Sequence, residues 1–143
     1  MLQPVSPELA RFLKRKPTGQ EAVEALKERT LLSIKKSSLD PMVERVFPYV
    51  GELDRSRQIL DVGCYGGWLY HYLGRPKTYI GLDNWSEAIE AAKSLFPEGD
   101  FRYGDIFAFS EKVDFVWCSQ IIWKSKAGEA LEKLKATGRN GTV

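Results

Sequence analysis

Ile59-Leu-Asp-Val-Gly-Cys-Tyr-Gly-Gly-Trp68 joins an apolar run to an acid and a glycine-rich turn. A buried parallel strand reads as a short apolar run bounded by turn residues, and Gln58 to Val62 has that form. Gly63, Gly66 and Gly67 allow a sharp turn and a close approach of backbone to ligand, and Trp68-Leu-Tyr-His-Tyr-Leu73 opens a helix. The stretch reads as a strand, a nucleotide-cofactor loop and a helix. A second acid, Asp83, closes the next apolar run, Tyr79-Ile-Gly-Leu82. It lies twenty positions after Gly63, where a strand-turn-helix-strand unit sets a carboxylate beside a ribose.

On these residues the segment 59 to 118 resembles the N-terminal half of a class I S-adenosylmethionine-dependent methyltransferase domain. In that family the first strand ends in an acid-x-Gly-x-Gly-x-Gly loop, matched by Asp61, Gly63 and Gly67, with Tyr65 where the middle glycine is usual. The second strand ends in the acid that binds the ribose hydroxyls, matched by Asp83. The third ends near an aspartate that meets the adenine amino group, and Phe101-Arg-Tyr-Gly-Asp-Ile106 supplies Asp105. Val113-Asp-Phe-Val-Trp-Cys118 is the fourth. The resemblance implies a Rossmann-like three-layer α/β/α sandwich with a mostly parallel sheet in the order 3-2-1-4. It implies S-adenosylmethionine as cofactor, contacted by Asp61, Gly63, Cys64, Tyr65, Gly67, Asp83, Asn84, Trp85, Asp105 and Ile106. Trp85 has two readings, a ring stacked on adenine or a staple on its own helix. The Tyr65 ring is expected to lean out of the loop.

A nicotinamide or flavin dinucleotide domain also combines a glycine loop with an acid at the second strand's end. Gly63-x-Tyr65-x-Gly67 fits its spacing poorly, and Asp61 at the loop's mouth would repel a pyrophosphate. A methionine ammonium would instead be attracted. The plainer alternative makes the glycines a tight turn only and leaves Asp61 and Asp83 as solvated strand ends.

The chain has 143 residues, 43% hydrophobic and 28% charged, as in a soluble globular domain. No run approaches the eighteen apolar residues of a membrane span, and the first residues lack the pattern of a secretory signal. A cytoplasmic protein is expected. Cys64 and Cys118 lack metal-site spacing and read as reduced, half-buried packing residues, with no metal bound. The net charge of +2 does not demand a nucleic-acid partner, although residues 1–50 hold nine Lys or Arg against six Asp or Glu. Lys14-Arg-Lys16 and Lys35-Lys36 could touch phosphate; as charges at helix ends they also complement the helix dipole. His71, the only histidine, receives no catalytic role.

Residues 1–50 read as a helical extension preceding a domain at 51–143. Ser6-Pro7-Glu8 starts a helix to about Lys14. Thr18-Gly-Gln-Glu21 has capping-box spacing before a longer helix with Ala22, Val23, Leu26, Thr30 and Ile34 on one face, and Asp40-Pro41 starts a third. In the family such extensions often pack over the cofactor cleft. After Asp83, a helix with Ile89, Ala92 and Phe96 inward should stop at Pro97-Glu-Gly99.

Ser119, Gln120 and Trp123, just past the fourth strand, should face the methyl acceptor, a small molecule or macromolecule that the residues do not identify. The Asn/Asp-Pro-Pro-aromatic motif of many amino-group methyltransferases is missing there. Ala127 to Ala136 reads as the next helix, and Thr142-Val143 would only begin a fifth strand, so the C-terminal third of the family domain is expected to be absent. Two functions follow: a methyltransferase, or a scaffold that holds the cofactor without turning it over. An exposed fourth-strand edge would favour a homodimer or partner chain there, or cover by the N-terminal helices.

Overall fold

The computed structural model describes residues 3–4, 6–35, 38–39, 54–118 and 127–138. Its centre is a four-stranded parallel sheet. Strand β3 (Ile59–Val62) pairs with β4 (Tyr79–Asp83) on one side and β6 (Phe115–Cys118) on the other, and β5 (Asp100–Tyr103) pairs with β4. The order β5-β4-β3-β6 is the expected 3-2-1-4 counted from the first strand of the sheet. β3 and β4 are buried at every position, as central strands covered on both faces must be. β5, at the edge, buries only Phe101. Its Arg102 is held between Asp100 and Glu111, each at 2.9 Å.

Strand alternation sorts side chains into two cores. On one face Ile59, Tyr79, Phe101 and Trp117 pack with Leu69, Tyr70 and Leu73 of helix α3 (Trp68–Tyr72) and its end, and with Ile89, Ala92 and Phe96 of α4 (Ser86–Leu95) and its end. On the other, Leu60, Val62, Ile80, Leu82 and Val116 pack with Ile106 and Phe109 around a short 3₁₀ turn and with Leu134 of α5 (Ala127–Thr137). The layers are thus α/β/α, a Rossmann-like fold. At the end of α5 the chain returns to the sheet, where Gly138 bridges to Val113 and the Val113 N–H donates to the Thr137 carbonyl at 3.0 Å.

The extension forms α1 (Pro7–Lys14) and α2 (Gln20–Ile34), together with a short parallel pair, β1 (Gln3–Pro4) and β2 (Ser38–Leu39). The Ser6 hydroxyl accepts from the Leu9 N–H and caps α1 as expected. The capping box is not formed. Gly19 is the cap residue of α2, and its N–H donates to Glu87 Oε2 at 2.9 Å instead. Ala22, Val23, Leu26 and Thr30 are buried as their spacing predicts. Leu13, Val23 and Leu26 meet Trp85, Ala88 and Ala91 of the α4 region, so among the described residues α1 and α2 pack chiefly on that side of the molecule, not along the β6 edge. The expected third helix lies outside the described residues.

Phe101 is the wedge of the first core. A Cβ on Gly81 would stand 2.7 Å from the Phe101 ring and 3.0 Å from Cys64 Sγ, and one on Gly67 would stand 2.8 Å from the same ring. Gly81→Ala should therefore destabilise the fold by about 1–3 kcal/mol through overpacking. Combination with Phe101→Leu should recover part of that loss. Denaturant midpoints for the two single variants and the double variant test this, and strict additivity would show that the ring and the glycine are not in conflict.

Candidate cofactor site

Asp61 and Asp83 lie at the C-terminal ends of β3 and β4, and Asp105 in the loop that follows β5, at the same end of the sheet as the glycine loop. This is where ligands bind in open α/β sheets, because loops after neighbouring strands diverge there. Gly67 precedes α3 in the left-handed region at φ +90°, and Gly63 has φ +82°. Tyr65 also lies there at φ +51°, an uncommon conformation for a side-chain-bearing residue.

Asp83 locks the loop in place. Its Oδ2 accepts from the Tyr65 N–H at 3.0 Å and its Oδ1 from the Trp85 N–H at 2.9 Å. The Gly63 N–H donates to the Leu82 carbonyl at 2.8 Å and the Gly104 N–H to the Asp83 carbonyl at 2.9 Å. Asp83 is 8% exposed, and burial raises its pKa against the lowering effect of those N–H bonds and of the Lys16 charge.

Asp61 is deeper, 2% exposed, with Oδ2 accepting from the Tyr79 hydroxyl at 2.5 Å. Burial pushes its pKa up to about 7, Asp83 adds to the rise, and the Tyr79 bond opposes it. Neither acid is a solvated strand end. Asp105 is exposed and accepts from the Phe107 N–H at 2.9 Å, while Ile106 is turned into the second core. Asn84 is exposed.

Trp85 is buried under the extension, its indole N–H donating to the Pro17 carbonyl at 3.1 Å, so it packs beneath α1 and α2 and not only on Ala88 and Ala91 of its own helix. The Tyr65 ring sits edge-on to Trp85 at 6.4 Å, with the Arg29 guanidinium 5.9 Å from its centre. Gly66 backs onto Thr30 of α2, which fills the space of its missing side chain. Cys64 is fully buried, not half-buried, and Cys118 partly so; both are free thiols. Ser119, Gln120 and Trp123 lie outside the described residues.

Sequence reasoning gave Tyr79 no place in the site and did not bring Lys16 or Thr30 beside the loop. Tyr79 was within reach: it shares a face of β4 with Gly81 and Asp83 by simple alternation. The other two depend on how the extension docks. Among the described residues no cluster could hold a metal ion and no helix is long and apolar enough to cross a membrane.

The fold and the loop define an α/β domain that takes a nucleotide cofactor at its strand ends. Residues 60–141 match the family model of the methyltransferase domain, and the chain belongs to that family. A search of curated protein sequences found no match. Among solved structures the chain resembles a TehB-like SAM-dependent methyltransferase from Corynebacterium glutamicum, with a TM-score of 0.63 and 22% identity over 86% of this chain and 71% of that one. It also resembles the magnesium protoporphyrin IX methyltransferase of Synechocystis, solved with bound SAM, with a TM-score of 0.59 and 17% identity over 94% and 67%. A third likeness is to Thermoplasma acidophilum 1320, with a TM-score of 0.54 and 21% identity over 81% and 65%. At these identities the likeness is one of fold. The chain spans about two thirds of the length of these proteins.

The raised pKa of Asp61 has a stability consequence. The folded state keeps a proton that the unfolded chain gives up near pH 4, so Asp61's contribution is fully present below that pH and lost as pH climbs through about 7. The upward shift of Asp83 acts with the same sign. Wild-type protein should therefore have a lower denaturant midpoint at pH 8 than at pH 5, and Asp61→Asn should flatten the difference. An equal drop in the variant would assign it elsewhere.

Proposed function

We propose that the chain binds S-adenosylmethionine and transfers its methyl group to an acceptor. One observation carries the reading: three carboxylates stand at or just past the C-terminal ends of three adjacent strands, at the same end as a glycine loop, in a sheet ordered 3-2-1-4. The donor set suits the ligand. Asp83, with one N–H on each oxygen, retains lone pairs for ribose hydroxyls. Asp61 offers a carboxyl to the methionine ammonium and Asp105 an acceptor to the exocyclic amine. Gly63 and Gly67 let backbone approach without side chains. Bound S-adenosylmethionine supplies a methyl group on a sulfonium, already a good leaving group. The protein's task is then alignment of the acceptor and exclusion of water.

Ser119, Gln120 and Trp123 remain the proposed acceptor-facing residues, and association of a second chain at the β6 edge remains a proposal that light scattering tests. The scaffold reading keeps the same cofactor contacts without turnover. Calorimetry with S-adenosylmethionine and S-adenosylhomocysteine tests binding, and turnover against pooled cell extract separates enzyme from scaffold.

Asp83→Ala should weaken S-adenosylmethionine binding by about 1.5–3 kcal/mol through loss of charge-assisted hydrogen bonds. Unchanged affinity would remove Asp83 from the ribose site. Tyr65→Gly should leave affinity within tenfold of wild type, because the native ring is taken up between Trp85 and Arg29. A larger gain would mean that the ring obstructs the cofactor.

A further inference from the structure

Asp61 lies in one of the least hospitable places in the molecule for a charge. Its neighbours across the sheet are Gly81 on β4 and Trp117 on β6. Trp117 is buried, and its indole nitrogen has no hydrogen-bond partner among the described residues. Around them stand Cys64 of the loop, Tyr70 of α3 and Phe101 of β5, all in the first core. The charge that acts on Asp61 is that of Asp83, which is repulsive; Lys16 acts on Asp83. Tyr79 is what makes the position tenable. Its ring is fixed by Tyr70 at 5.1 Å and Phe101 at 5.8 Å between centres, and its hydroxyl reaches Asp61 Oδ2 at 2.5 Å. Burial holds the phenol well above its usual range, so it is a permanent donor.

We infer that Tyr79 is a positioning residue for cofactor binding: its hydroxyl fixes Oδ2 of Asp61, favours the ionised carboxyl and leaves Oδ1 to receive the cationic amino end of the ligand. The inference rests on the proposed cofactor. A donor that stabilises the carboxylate lowers the proton affinity of Asp61, and each unit by which that affinity rises on removing the donor costs up to tenfold in binding near neutrality. The cost vanishes where both forms are ionised. A purely structural role for the tyrosine would lower affinity alike at every pH.

The probe is S-adenosylhomocysteine, titrated calorimetrically between pH 6 and 8.5 into wild type, Tyr79→Phe, Asp61→Asn and the double variant. Phenylalanine keeps the ring and its packing, so the fold is retained. Wild-type affinity should rise with pH. Tyr79→Phe should bind about tenfold more weakly at pH 7, with the deficit narrowing to about twofold at pH 8.5. Asp61→Asn should bind weakly with little pH dependence, and the double variant should bind no more weakly than Asp61→Asn. In the ligand-free protein, carboxyl-carbon NMR should show the Asp61 titration moving to higher pH in Tyr79→Phe. A Tyr79→Phe deficit that is absent, or constant across pH, overturns the inference alone, as does an unmoved Asp61 titration. Failure of wild type to bind S-adenosylhomocysteine and S-adenosylmethionine overturns the cofactor reading and the inference with it.

Discussion

Two backbone N–H groups, those of Tyr65 and Trp85, converge on the one carboxylate of Asp83. The geometry of the strand ends follows from that convergence. The first N–H belongs to the loop leaving β3 and the second to the turn entering α4, so a single side chain ties two successive strand-helix crossings together. A buried carboxylate without such donors would protonate or open the structure to water. With them it stays among the ends of parallel strands and keeps lone pairs for a ligand. Alanine at position 83 would therefore remove a clamp on the loop together with the proposed ligand contact, which is why affinity and stability are both worth measuring for any substitution there.

The sheet was legible because parallel strands are continuous apolar runs ended by turn residues, and Ile59–Val62, Tyr79–Asp83 and Phe115–Cys118 all have that form. The loop was legible because only glycine-rich backbone makes such a turn. What alternation could not show was distance along the strand: Tyr79 lies two residues before Gly81, the residue paired with Asp61, yet the length of a phenol carries its hydroxyl to the Asp61 carboxyl. Trp85 was undecided from sequence because both of its readings use the same ring, and neither foresaw its bond to the carbonyl of Pro17, in another helix connection. The capping box failed for a related reason. A local pattern at Thr18 lost to a bond between Gly19 and Glu87, which only the docked helices bring together.

Asp61 and Asp83 stand on the same face of adjacent strands, and burial resists the ionisation of each. Such a pair is a liability for stability, since each carboxyl must keep its proton or be paired in order to stay buried. The aromatic surroundings of Asp61 sharpen this demand. They exclude water, which strengthens any charge interaction made inside, and they pack well enough to offset the cost of keeping an acid there.

The extension belongs to this balance. The family match begins at residue 60, yet Leu13, Val23 and Leu26 share a core with Trp85, Ala88 and Ala91, and Thr30 occupies the space behind Gly66. Helices α1 and α2 thus close the back of the glycine loop and bury the ring that follows Asp83. Their removal would expose an indole and take Thr30 from behind the loop in which Tyr65 already holds an unfavourable conformation. A strained loop residue persists only when its surroundings over-determine it. Here the surroundings come from two directions: the carboxylate on the strand side and the helix α2 behind. The cofactor loop and the extension therefore form one packed unit, and a change at their interface should be felt at the strand ends even though it touches no ligand.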